Sequence, residues 1–153
     1  MKTIFNSLLL SAALLASSVS FAQTKEEVHT KITTHHATAK EHSNKMASGE
    51  ASTKEMQKQH SAETKKSIES AKASHQELKK TMPEKHKAVA KTHHEVIDKH
   101  HTDATAHHAK LDAELSKPNP DAAKVKEHAK ATHTSLDNAE KEHQKLKTNT
   151  SAK

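Results

Sequence analysis

Between Glu84 and Ser116, histidines recur at a spacing of seven residues, as His86, His93, His94, His100, His101, His107 and His108. On a helix turning roughly 100° per residue they share an arc about 140° wide with Val89, Val96, Ile97, Leu111 and Leu115. Lys85, Lys91, Glu95 and Lys99 fall mainly outside it. Imidazole thus stands where a packing face normally carries hydrocarbon. The spacing predicts that His86, His93, His100 and His107 pack against Val89, Val96 and Leu111, where burial would keep them neutral. Histidine changes charge near neutral pH and, when neutral, is the commonest side-chain metal ligand.

The remainder of the chain supports helices and little else. Thr24 with Glu27, Ser52 with Glu55 and Thr81 with Glu84 match the capping box that satisfies free amides in a first helical turn. Asn119 before Pro120 reads as an N-cap followed by a proline in the first turn. Breaks fall at Ser48-Gly49, which holds the only glycine, and at Lys117-Pro118-Asn119-Pro120. The expected fold class is all-α, an elongated and marginally stable bundle of about four helices near 24–47, 52–80, 83–116 and 120–147. So few residues separate helices two and three that they also read as one kinked rod.

Stripes at alternating three- and four-residue steps run through these segments. The first reads Val28, Ile32, His35, Ala39, His42, Met46, and the last Val125, His128, Thr132, Leu136, Ala139, His143, Leu146. The second is weaker, with Met56, His60, Ser67, Ala71, His75 and Leu78. A histidine three residues before a large aliphatic recurs at His29/Ile32, His75/Leu78, His86/Val89, His93/Val96, His94/Ile97, His108/Leu111, His133/Leu136 and His143/Leu146.

The first 22 residues have the form of a secretory signal: Lys2, an apolar run from Ile4 to Ala16, then Ser20-Phe21-Ala22 as a small-x-small cleavage site. The expected organisation is a signal peptide at 1–22, a helical domain at 23–147 and a disordered tail at 148–153. The expected destination is periplasmic or secreted. No later segment is apolar enough to span a membrane, and the absence of cysteine excludes disulfides and thiolate metal sites.

The part after the signal holds 24 lysines against 19 acids, with no arginine and no aromatic residue. It therefore lacks the guanidinium forks and stacking faces that read nucleic acids, despite a pI near 9.4. Only 12 Val, Ile and Leu residues are available to build a core, so stability is expected to be low. There is no nucleophile elbow and no glycine-rich phosphate loop, and the expectation is a protein that is not an enzyme.

No two histidines are three or four residues apart, which argues against a metal clamp built on one helix. Mixed pairs do occur: His94/Asp98, Asp98/His101, Asp103/His107, His108/Asp112 and His133/Asp137. Each offers nitrogen and oxygen ligands on one face, to be completed by a second helix or a second molecule. The candidate metal residues are accordingly His86, His93, His94, Asp98, His100, His101, Asp103, His107, His108 and Asp112, with Zn, Cu or Ni as the ion. Met46 follows His42, and Met56 and Met82 precede His60 and His86, each by four residues, a thioether and imidazole pairing that suits copper.

In composition the chain is similar to small exported histidine-rich proteins of metal handling or acid stress, a likeness of bias without a shared motif. The leading expectation is a non-enzymatic transition-metal buffer or sequestering protein, with metal ions and its own copies as partners. The other is an envelope stress or structural protein that responds to pH through histidine protonation, with chaperone-like character.

Overall fold

A computed structural model describes residues 25–151. The signal segment, the Gln23 start and the Thr24 cap lie outside the described residues. Four helices, α1 (Lys25–Ser48), α2 (Lys54–Thr81), α3 (Glu84–Leu115) and α4 (Ala122–Ser151), pack as an up-down-up-down bundle. Each helix lies beside the two that flank it, with α4 closing against α1. At about 1.5 Å per residue the helices are roughly 36–48 Å long, so the bundle is elongated, as expected.

The turns explain the reversals. Gly49 ends α1 with φ 88°, a left-handed backbone that an L side chain rarely adopts. Between α2 and α3 the chain reverses within Met82 and Pro83. Proline excludes helical backbone at the preceding residue, and Met82 is extended at φ −65°, ψ 123°. Two residues therefore suffice, and helices two and three form a hairpin instead of a kinked rod. Met82 plugs that end of the core at 4% exposure.

Caps sit one or two residues from their predicted places. Thr53, not Ser52, accepts the Met56 amide at 3.1 Å. Thr81 closes α2 by donating to the Glu77 carbonyl instead of opening α3. Asp121, not Asn119, accepts the Ala123 and Lys124 amides. Buried Glu114 secures the same loop by accepting from the Asp121 amide and Lys117. The tail expected at 148–153 is helical through Ser151, because Thr150 is buried and its carbonyl accepts Lys25 Nζ at 2.7 Å.

The apolar core is divided into three groups. One end holds Val28, Ile32, Leu78, Met82, Ala90, Ile97 and Leu146. The other holds Met46, Ala51, Leu111, Leu115, Val125 and Ala129. Ala39, Ile68, Ala104 and Leu136 form a narrower middle layer.

The register of α3 differs from the predicted one. Its buried residues run Ala90, His94, Ile97, His101, Ala104, His108, Leu111, Leu115, in steps of four and three. The second histidine of each doublet faces inward. His86, His93, His100 and His107 are only half-buried, Val96 is half-buried, and Val89 is 52% exposed. Ile97, Leu111 and Leu115 are the residues with most apolar area to hide, and the helix turns to bury all three, which carries His94, His101 and His108 with them. In α1 the same rule buries His36 and leaves His35 and His42 at the margin.

Ile97→Ala should lower stability by about 2 to 5 kcal/mol through the cavity it leaves. Val89→Ala should change it by less than about 0.5 kcal/mol. Urea denaturation followed by circular dichroism measures both, and equal losses would restore the predicted stripe.

Candidate functional site

From the apolar end near Met82 toward the middle layer, buried imidazoles on all four helices alternate with the aliphatic core residues. The buried positions of each helix alternate in steps of three and four, and at this level the second position of the repeat is histidine on every helix: His29 and His36 on α1, His75 on α2, His94 and His101 on α3, His143 on α4. None of the six exceeds 7% exposure.

These rings join into one network. His29 Nδ1 lies 3.1 Å from His143 Nε2, His36 Nε2 lies 2.8 Å from His101 Nε2, and His94 Nδ1 lies 3.3 Å from His75 Nε2. Ring contacts link the three pairs, with centroids 6.3 Å apart for His36 and His143 and 5.7 Å apart for His75 and His101. The series His29, His143, His36, His101, His75, His94 crosses the bundle from the α1/α4 side to the α2/α3 side.

Hydrogen-bond accounting excludes the doubly protonated form of each pair. A neutral imidazole has one N–H donor and one lone pair, so two rings in N···N contact can share one hydrogen bond, whereas two imidazolium ions cannot. Each ring then has one nitrogen left over, and all six are buried without a partner: Nε2 of His29 and His94, and Nδ1 of His36, His75, His101 and His143. An unsatisfied buried polar group costs about 1–3 kcal/mol, so the cluster strains a core already short of hydrocarbon.

Burial is the main cause that lowers all six pKa values. His36 and His75 are pushed down to about 2, with neighbouring imidazoles adding repulsion. His143 falls to about 3, with His29 its largest neighbouring influence. His29, His94 and His101 fall to about 4. Lys25 and Lys147 disfavour charge on His29, Lys79 on His94 and Lys72 on His101, while Asp98 partly offsets the shift of the last two.

The other predicted residues are dispersed. His108 faces inward but stands apart from the network, its Nε2 donating to the Ser61 carbonyl at 2.9 Å and its Nδ1 3.5 Å from Asp112. Asp98 lies 3.5 Å from His75 Nε2 and is held by Lys79 at 2.8 Å. His93 bridges to α4, donating from Nδ1 to Glu142 at 2.6 Å and accepting the Asn149 amide at Nε2. Asp103 pairs with Lys99, and His86, His100 and His107 lie on the flanks of α3. Among the described residues, no group of three or more His, Asp or Glu side chains that could hold a metal ion is assembled.

Four of the six clustered residues, His29, His36, His75 and His143, were not among the predicted site residues. A signal for them existed. Of the eight histidines three residues ahead of an aliphatic, those at positions 29, 75, 94, 108 and 143 are buried, because a three-residue step joins successive core positions. His36 carries no such signal, because Ala39 and not a large aliphatic stands three residues after it. Comparison with protein-family models, curated proteins and solved structures finds no match.

While the bundle is folded, the ring signals of His36, His75 and His143 should keep the chemical shifts of neutral imidazole, and they should become protonated only together with the loss of the folded amide signals. A two-dimensional NMR titration reads this directly, and individual titration near 6.5 while the folded amide signals persist would contradict the buried placement.

Proposed function

We propose that this chain is an exported, non-enzymatic helical protein that responds to pH through its core, an envelope stress or structural protein whose bundle opens as its surroundings become acidic. One observation carries the reading: six buried imidazoles from all four helices form three N···N pairs linked by ring contacts, and no pair can stay hydrogen-bonded once both its members are protonated. Export rests on the leader-like first 22 residues.

The sign follows from the lowered pKa values. An unfolded histidine titrates near 6.5, and the six core histidines titrate well below that when folded. Below pH 6.5 the unfolded chain therefore binds more protons than the folded one. Their contribution to stability is complete above 6.5 and is lost as pH falls toward the folded values. Six such groups cost on the order of 5 kcal/mol by pH 6 and on the order of 8 kcal/mol by pH 5.5. A small domain holds only about 5–15 kcal/mol. Opening would uncover Ile32, Leu78, Ile97 and Leu146, the apolar surface that a chaperone-like role needs.

The melting temperature should be flat above about pH 7 and fall steeply between roughly pH 6.5 and 5. Replacing one facing pair, His36→Leu with His101→Leu, should reduce the proton uptake of unfolding by about a third and flatten that fall. A melting temperature that holds steady or rises toward pH 5 would end this reading.

The unpartnered nitrogens favour a second reading, transition-metal buffering on the same rings. Zn, Cu or Ni binds neutral imidazole and competes with protons, so a ligated core would resist acid. Equilibrium dialysis with each ion should then show binding that raises the melting temperature and moves the acid transition to lower pH. Dialysis without uptake, or uptake that leaves the transition in place, would discard it.

A further inference from the structure

The pairing of methionine with histidine one helical turn away is a sequence pattern that the core cluster does not absorb. Met46 and Met82 are buried at 1% and 4% exposure and pack into the two apolar ends. Met56 is different. It is 39% exposed in the first turn of α2, among Lys54, Glu55 and Lys58, and no core position accounts for it.

One turn further on, His60 meets His42 of α1. Their Nδ1 atoms are 2.7 Å apart, and the ring centroids 5.0 Å apart with a 37° tilt. Both rings are only half-buried, unlike the core pairs. Met56 and His60 are four residues apart, which puts their Cβ atoms about 6 Å from each other on one face of α2. Glu41 and Glu50 place negative charge near His60, opposed by Lys45. Glu41 is itself paired with Lys45 at 2.6 Å.

We propose that His42, His60 and Met56 form a surface site for a monovalent copper ion in the groove between α1 and α2. Two imidazole nitrogens and one thioether sulfur are a borderline-to-soft donor set, which suits this ion and suits zinc poorly. At metal–nitrogen distances of about 2.0–2.1 Å, ligating nitrogens stand roughly 3.3–3.6 Å apart, so the rings part by less than about 1 Å. The ring with its proton on Nδ1 moves that proton to Nε2, both Nδ1 lone pairs face the ion, and no proton is released overall. The thioether supplies the third donor that the two histidines lack. This site shares no residue with the core network and does not depend on that network's response to acid.

The test is a titration of the purified chain with Cu(I), kept reduced by ascorbate, against the chromophoric chelator bicinchoninate, with methionine methyl signals followed by NMR. One equivalent should leave the chelator for the protein, and the Met56 methyl signal should move before those of Met46 and Met82. His42→Ala or His60→Ala should abolish the transfer. Met56→Leu should weaken it at least about tenfold, and His86→Ala should leave it unchanged. Wild-type affinity in Met56→Leu, a Met56 signal that stays still, or zinc held as tightly as copper would overturn the proposal.

Discussion

The interaction on which this bundle turns is the burial of imidazole, which disfavours its charged form. Six rings occupy core positions that leucine or isoleucine fill in an ordinary four-helix bundle, and they meet in pairs at 2.8 to 3.3 Å. Protonating both members of a pair would place two charges within hydrogen-bond distance in a medium that screens them poorly. We infer that the neutrality that permits this packing also ties the stability of the fold to pH. Lys25, Lys147, Lys79 and Lys72 around the rim reinforce it by opposing further positive charge.

The cluster also orders the helices relative to one another. Hydrocarbon layers tolerate sliding, because one methyl group substitutes for another. A ring nitrogen that must find a particular partner does not. We infer that the His29/His143, His36/His101 and His75/His94 pairings set the register of α1 against α4, α1 against α3 and α2 against α3, at a cost in stability. The apolar groups on either side supply the burial energy that the histidine level lacks.

Much of the fold was legible from local chemistry. Gly49, Pro83 and the Pro118–Pro120 segment break the helices where the sequence says they should, and every helix boundary lies within a few residues of its predicted place. What failed was the rotation of α3, and in α1 the choice of His35 over His36, while the stripe read on α4 is largely the buried one. A doublet such as His93-His94 offers two faces 100° apart, and only the partner helices decide between them. Burying Ile97 and Leu111 required the second histidine, while the prediction had given weight to Val89, which the bundle leaves in solvent. The site was half legible for the same reason: the density of α3 was plain, but His29, His36, His75 and His143 become neighbours of His94 and His101 only after three chain reversals.

The claim that neutral, mutually bonded imidazoles form the core is tested most directly by nitrogen–nitrogen scalar coupling across the shared proton in uniformly labelled protein at neutral pH. The account predicts a resolved coupling between His36 Nε2 and His101 Nε2, with one ring protonated at Nε2 and the other at Nδ1. Rings that show no coupling and carry the chemical shifts of imidazolium would contradict it.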